Sequence, residues 1–547
     1  MNKELKIVFG VVSLSITVAF LIFGSTVTHP FLFDDIHLEL NKQLYHLGNV
    51  SNFFISPYHF IKSGVYRPLP MLSYAVNQLL FGSSVVSFRI FQIILYGLNG
   101  ALLFFLLRKI HFGFLESVLA GLIFLFHPVN SELVNVVVFR HDILVVTFGL
   151  LAILFRLKGK ILGAYVLFLF SLFSKETGLM IMLIMLYYLL FIADDGKLNT
   201  KVFFQRLVAI KKDILYSFAT IFVYMLFRFQ ALQNLIFYDP TTIVQNQLRY
   251  VPFLPGILTT LKVIGLYVAK IFYPATLSID YSYKQIATSY SVFEPLIALG
   301  LLTLVICIFV LLPWVKLNYK YKVAALFFLF PLLIVSNIFL KIGAIAAERW
   351  LYMPSAAFAI LISVLFSKLI YYLANINRKM ILLSVVPLVL LLGAYYYRDW
   401  TRNADWKDGF SLYKSTALAS PNSVLARNNL GAMYLLKKDY PRARAELEEA
   451  TKIYPDYPEL VFNWGIYFQE TGDAKRGEEY FLKTLAIAPE YLDAYSRLMG
   501  IYVLRGDYDK AIFWAAKKFE ITKDQVDADA VNFLMLKKNG RLPDAVN

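Results

Sequence analysis

Two aspartates stand side by side in Phe33-Asp34-Asp35-Ile36-His37, just after the first long apolar run. Adjacent carboxylates beside an apolar segment repel each other and cost desolvation, so the pair points to work: a general base for a hydroxyl, or a ligand for a metal ion. The bland alternative is that one of them caps the helix that follows. Further polar groups interrupt the apolar sequence. They are His127-Pro128-Val129-Asn130-Ser131-Glu132 with Arg140-His141-Asp142, then Ser174-Lys175-Glu176, then Ala347-Glu348-Arg349-Trp350. Tyr66-Arg67-Pro68 adds another cation. Cations kept in such settings call for pairing with acids or with a phosphate. Glu176 beside Lys175, and Glu348 beside Arg349, would serve equally well as plain ion pairs. The convergence of Arg67, Arg140, Lys175 and Arg349 is what points to phosphate handling.

The elements that must position these residues are apolar helices. The chain is 59% hydrophobic and only 16% charged, and apolar runs dominate up to about Tyr397. Runs of about 18 residues or more imply membrane spans. We read helices at 7–27, 84–107, 114–127, 141–157, 161–173, 177–193, 213–231, 292–312, 323–340, 354–372 and 380–397. The formal charge of +16 does not call for a nucleic acid, because the excess sits in short loops. These are Lys3/Lys6, Arg108/Lys109, Arg156/Lys158/Lys160, Lys197 to Lys212, Lys316/Lys320/Lys322 and Arg378/Lys379. With eleven helices all fall on one side, the cytoplasm by the positive-inside rule. The apolar segment 255–272 carries Lys262 and Lys270 and would invert the later loops if it crossed, so it is read as interfacial or re-entrant. The basic N-terminus followed by an apolar run is read as an uncleaved first helix in preference to a signal peptide. The single cysteine, Cys307, allows no disulfide within the chain. On this topology the loop 28–83, the turns at 127–140, Lys175 and 341–353, the loop 232–291 and the C-terminal region share the extracytoplasmic side.

The polar tail repeats with a period of 34: Pro421, Pro455 and Pro489; Tyr434, Phe468 and Tyr502; Ala443, Gly477 and Ala511. This is the tetratricopeptide (TPR) period of paired antiparallel helices. Repeats fit 424–457, 458–491 and 492–525, with a half-repeat at 404–421 and a capping helix near 526–538. The fold expected is therefore all-α: a polytopic membrane bundle over 1–397 and an extracytoplasmic TPR solenoid over 398–547. Solenoids offer a concave face to extended partners, against the plainer reading that the repeats only pack.

In this order the segments resemble the GT-C glycosyltransferase superfamily. The likeness is to the protein O-mannosyltransferase group, and within it to transmembrane and TPR repeat-containing mannosyltransferases. It is carried by the FDD after the first helix, YRPLPMLSYAVNQLLFG (66–82), HPVNSELV (127–134) with FRHD (139–142), SKETG (174–178), AERWLYMPS (347–355) and the repeat tail. The resemblance implies a lipid-phosphate-linked sugar as donor, transfer on the extracytoplasmic face, and a catalytic carboxylate in the first external loop, here Asp34 or Asp35, with Asp34 favoured. Polyprenyl phosphate is the leaving group in such a reaction, and Arg140, Lys175, Arg349 and Arg67 are the cations to stabilise it. His127, Glu132, Asp142, Glu176 and Glu348 would orient them. Asp34, Asp35 and His37 offer donors for a divalent cation, although the resemblance is to a branch that works without one. The family motif near 140 reads Gly-Arg-Ala-Asp, and here Phe139 and His141 replace the small residues, which bears on the sugar accepted. The tail is also shorter than in animal members. The expected function is an inverting glycosyltransferase that moves a sugar, mannose among the candidates, to a hydroxyl of a protein or envelope glycan docked by the tail, in a bacterial inner or plasma membrane. The rivals are a non-catalytic TPR scaffold and a lipid-linked glycan transporter. A transporter would more often bury its acids at mid-membrane in interrupted helices.

Overall fold

The computed structural model describes residues 3–40, 45–61, 63–193, 200–236, 238 and 241–539. Among them all regular structure is helical. The basic residue Lys197 lies outside the described residues. The chain divides into two compact units, Met1–Ile279 with Ile286–Leu412, and Asp280–Gln285 with Tyr413–Asn547.

The first unit is an integral membrane bundle. Each of the eleven apolar segments forms a helix. Seven helices are long and apolar enough to cross a bilayer, and an eighth span arises if Phe114–Leu125 and Pro128–Asn135, bent by 50°, act as one. The bend falls at Pro128, whose ring cannot continue a helix. Side-chain pairing sorts the helix ends into two groups. At one end Arg156 binds Asp213 through Nε (2.5 Å) and Nη2 (2.8 Å), Lys320 binds Glu116 (2.6 Å), and Lys322 donates to the Leu312 carbonyl (3.2 Å). At the other end Asn135 donates to Asn403 (3.0 Å) and Asn403 to the Ile22 carbonyl (2.7 Å), tying the helices that begin and close the bundle to the Pro128–Asn135 segment.

The helix Phe253–Phe272 is as long as a span, about 30 Å at 1.5 Å per residue. Yet both its ends meet the same end of the bundle. Gly256 lies beside the Lys341 ammonium, in the connection after Tyr319–Val335, and the Ile271 carbonyl accepts from His127 at 3.0 Å. Its middle crosses the start of Pro295–Leu311 so closely that only glycine fits. A Cβ on Gly265 would fall 1.9 Å from the Leu296 carbonyl oxygen, and one on Gly300 2.1 Å from that of Leu261.

In the second unit three helix pairs carry the 34-residue period: Val424–Leu436 with Tyr440–Ile453, Pro458–Glu470 with Ala474–Ile487, and Leu492–Leu504 with Tyr508–Thr522. Gln525–Lys538 packs after the last pair through Leu534. Gly431 and Gly465 allow Leu447 and Phe481 to pack against the first helix of their pair. The period recurs in the caps. Asp439, Asp473 and Asp507 each accept the backbone N–H three residues on, satisfying the helix start. The residues just before them, Lys438, Gly472 and Gly506, all have positive φ (58°, 92° and 74°). Asp280–Gln285 joins this unit by backbone pairing: Val424 N–H donates to the Tyr283 carbonyl (2.8 Å) and Lys284 N–H to that of Asn422 (2.9 Å).

Candidate active site

Asp34 and Asp35 sit in a single tight turn, Phe33–Asp35, with Phe33 at φ 56°. The turn sends the two carboxylates to different places. Asp35 is fully buried and accepts the Val137 (3.1 Å) and Val138 (2.8 Å) backbone N–H groups at the start of the helix Val137–Leu157. Burial pushes its carboxyl up to about 7, although Arg89 and those two bonds oppose the shift. Asp34 is only half-buried. Burial raises its carboxyl above the ordinary range, against the charges of Arg349 and His37. Asp34 is thus the more accessible of the two acids, while Asp35 is held by backbone groups of a distant segment.

Arg349 Nη1 binds Glu132 Oε1 at 2.7 Å and its backbone N–H binds Oε2 at 3.0 Å, joining the short turn Glu348–Leu351 to the segment after Pro128. The guanidinium lies 4.4 Å over the Phe139 ring. Lys175 Nζ binds both Asp142 oxygens (2.7 and 2.9 Å), and His141 Nε2 also reaches that carboxylate at 3.1 Å. Burial lowers the Lys175 ammonium pKa; Asp142 opposes this, and the charges of Arg67 and Arg349 add to the lowering. Arg67 and Arg349 therefore both act on the Lys175 ammonium. Arg67 reaches Glu176 at 3.4 Å and His141 at 3.5 Å. Burial alone would raise the Glu176 carboxyl, but Arg67 and Arg228 together hold it down at about 2.

Arg228, 2.8 Å from Glu176, escaped the sequence reading. The signal was an arginine near the end of the otherwise apolar Lys211–Leu232 helix. His59, which stacks on His37 at 5.3 Å, was missed as well. Its signal was the aromatic triplet Tyr58-His59-Phe60.

Three nominated residues do not join this cluster. Arg140 is fully buried, spending its donors on Gln92 (3.1 Å), Ser73 O (3.3 Å), Asn77 (3.2 Å) and Phe88 O (3.0 Å) between the faces of Tyr74, Phe88 and Phe91. It braces helices and presents nothing to a phosphate. His127 is buried between Phe358 and Tyr395, with Nε2 on the Ile271 carbonyl. Glu348 takes the Ser278 N–H (2.8 Å) and Lys270 (3.4 Å), fixing the turn that carries Arg349. Among the described residues no group of three or more His, Cys, Asp or Glu is placed to hold a metal ion.

No family model matches the sequence. Individual proteins do. Protein O-mannosyl-transferase TMTC3 of Homo sapiens is 24% identical over 533 residues, which cover 90% of this chain and 56% of that protein. A Caenorhabditis elegans protein O-mannosyl-transferase is 26% identical over 405 residues, 72% of this chain and 54% of its own. Over most of its length the chain is similar to proteins named as protein O-mannosyl-transferases. Tmtc2 of Drosophila melanogaster, another protein O-mannosyl-transferase, reaches 34% identity over 137 residues, 25% of this chain and 14% of its own. The chain spans a little over half the length of the first two relatives. Both long alignments extend well beyond any single motif, so the likeness read from the ordered set of motifs holds for the chain at large.

Proposed function

We propose that this chain is an inverting glycosyltransferase. It moves a sugar, mannose by the likeness to its relatives, from a polyprenyl phosphate to a hydroxyl of a protein or envelope glycan on the extracytoplasmic face. The observation that carries this reading is one half-buried carboxylate, Asp34, in a turn whose Phe33 meets Phe139 at 6.4 Å, the ring over which the Arg349 guanidinium lies at 4.4 Å. Asp34 takes the proton of the acceptor hydroxyl as that oxygen bonds the sugar's anomeric carbon. The bond to phosphate breaks on the opposite face, the configuration inverts, and the growing charge on the departing phosphate oxygen falls to the cations. Arg67 and Arg349 are the readiest to receive it, since each side chain keeps 17–18% of its surface exposed. The isoprenoid tail has a matching place. A cavity of about 580 Å³, almost wholly apolar, is lined by Ile271, Phe272, Leu302, Cys307, Tyr321 and Phe358. Its lining comes from the helices Phe253–Phe272, Pro295–Leu311, Tyr319–Val335 and Tyr352–Ile376, and two of its residues, Ile271 and Phe358, also touch His127.

Purified protein in lipid nanodiscs, given polyprenyl-phosphate mannose and hydroxyl-bearing acceptor peptides, tests the reading. Asp34→Asn should lower transfer by at least 10²-fold, the scale of a lost general base. In the wild type the rate should fall as pH drops through the raised Asp34 pKa, because the working form is the carboxylate. Unchanged transfer by a folded Asp34→Asn variant refutes this base. Transport of the lipid without transfer by the wild type favours the transporter instead.

A further inference from the structure

From His37 to Phe33 the side-chain contacts run in a chain that the backbone through Asp34 closes into a ring. His37 stacks on His59 at 5.3 Å, and the Tyr58 ring lies 3.9 Å from that of His59. Tyr58 meets His141 edge-on at 6.2 Å, and His141 meets Phe139 at 5.8 Å. Phe139 returns to Phe33, the neighbour of Asp34, at 6.4 Å. The two substrate-facing cations hang on this ring at separate points, Arg67 5.6 Å over Tyr58 and Arg349 4.4 Å over Phe139. His59 and His141 are each only 3% exposed, yet His59 Nε2, His141 Nδ1 and the Arg67 Nε–H carry no hydrogen-bond partner. The other nitrogen of each imidazole is committed, His59 Nδ1 to the Tyr45 hydroxyl and His141 Nε2 to Asp142. Each ring is therefore fixed with its free nitrogen in one direction. Buried polar atoms left open cost free energy unless a ligand or water completes them.

The ring combines open polar nitrogens with the aromatic faces of Phe139 and Tyr58. A phosphate accepts hydrogen bonds but gains nothing from an aromatic face, and an isoprenoid wants no polar partner. A hexose wants both features, because its hydroxyls donate and accept while its C–H faces lie on aromatic rings. Burial, then the nearby His37, His141 and Arg67, lower the His59 pKa, so its imidazole is neutral and can play either hydrogen-bonding role.

We propose that this ring is the donor's sugar subsite, in which His59 Nε2 and His141 Nδ1 bind hydroxyls of the transferred hexose and so hold its anomeric carbon between Asp34 and the cations. The proposal deepens the glycosyltransferase reading and rests on it. Affinities of the full chain in nanodiscs, measured for polyprenyl-phosphate mannose and for bare polyprenyl phosphate, separate the two. The wild type should bind the sugar-bearing lipid at least 10-fold more tightly. His141→Phe keeps a ring against Tyr58 and Phe139, and His59→Asn tolerates the positive φ of 57° at that position. Each should weaken the mannosyl lipid about 10-fold and leave the bare lipid within about 2-fold. Equal wild-type affinity for the two lipids overturns the subsite without needing any variant to fold. So do equal losses for both lipids, or no loss, in folded variants, the latter meaning that water alone fills the open positions. Failure of the wild type to bind either lipid overturns the donor reading itself.

Discussion

Lys175 and Asp142 form a buried ion pair whose removal can be worked through. The ammonium sits 2.7 and 2.9 Å from the two oxygens, and the side chains are 9% and 11% exposed. Two unit charges at that separation attract by about 6 kcal/mol at an effective dielectric of about 20, most of it offset by lost hydration. Breaking such a pair from one side strands the other charge and costs roughly 3–5 kcal/mol. The two single variants should differ. Asp142→Asn strands the ammonium close to Arg67 and Arg349, so it belongs at the upper end. Lys175→Met leaves a carboxylate that still has His141 Nε2 at 3.1 Å, so it belongs at the lower end. The double variant removes both charges and should be more stable than Asp142→Asn alone, with a coupling of about 2–3 kcal/mol between the sites. Thermal unfolding of the four proteins in one detergent, with sugar transfer measured on the folded fraction, provides the readout. Recovery of stability in the double variant without recovery of transfer would assign Lys175 a part in the reaction as well as in the fold. Additive losses would refute the pairing argument, and a double variant with full activity would remove Lys175 from the site.

Other expectations follow from single residues. Arg140→Lys should lower the melting temperature sharply, since it leaves Gln92, Asn77 and two carbonyls short of donors, while the folded fraction keeps its affinity for polyprenyl phosphate; a stable but inactive variant would return Arg140 to the phosphate. Lys438 holds φ 58° where the next repeats have Gly472 and Gly506, so Lys438→Gly should stabilise by roughly 0.5–1 kcal/mol in chemical unfolding, and a loss would show that the side chain matters more than the backbone. Cysteines placed at the exposed positions His46 and Lys158 should report opposite faces in intact cells. A membrane-impermeant maleimide should label the first and spare the second, and the reverse pattern would invert the proposed sidedness.

Much of this fold is legible in the sequence because its signals are local. Apolar runs mark the membrane helices, the prolines at 128, 295 and 458 bend or open helices, and the 34-residue period marks the helix pairs of the second unit. The site is less legible because its partners lie far apart along the chain. Asp35 meets backbone groups more than 100 residues away, and Arg349 meets Glu132 at a separation of 217. Nothing near Arg140 tells that Gln92 and Asn77 will absorb its donors, so it reads like the other cations. Arg228 reads as an ordinary helix-end arginine until Glu176 is placed beside it. Neighbouring positions also deceive, since Asp34 and Asp35 look interchangeable until the turn points one of them into the core.

That divergence explains why two acids stand where one would serve as base. The start of the helix reaching from Val137 to Leu157 carries backbone N–H groups without intrahelical partners, a natural seat for a carboxylate. Asp35 occupies it, pinning the loop after the first helix onto the segment that presents Phe139, His141 and Asp142. With Asp35 fixed, the one-residue step to Asp34 sets where the second carboxylate stands relative to Arg349 and the ring of aromatic side chains. A substitution at Asp35 should therefore loosen the whole arrangement, lowering stability and transfer together, whereas one at Asp34 should lower transfer alone. The burial of Asp35 has its own signature. Its folded pKa of about 7 lies above the unfolded value, so the native state binds the extra proton. The stability this contributes is fully present below the unfolded pKa and is lost as pH rises through 7; Asp35→Asn should remove this share of the pH dependence, while the raised carboxyls of Asp34 and Glu132 keep theirs.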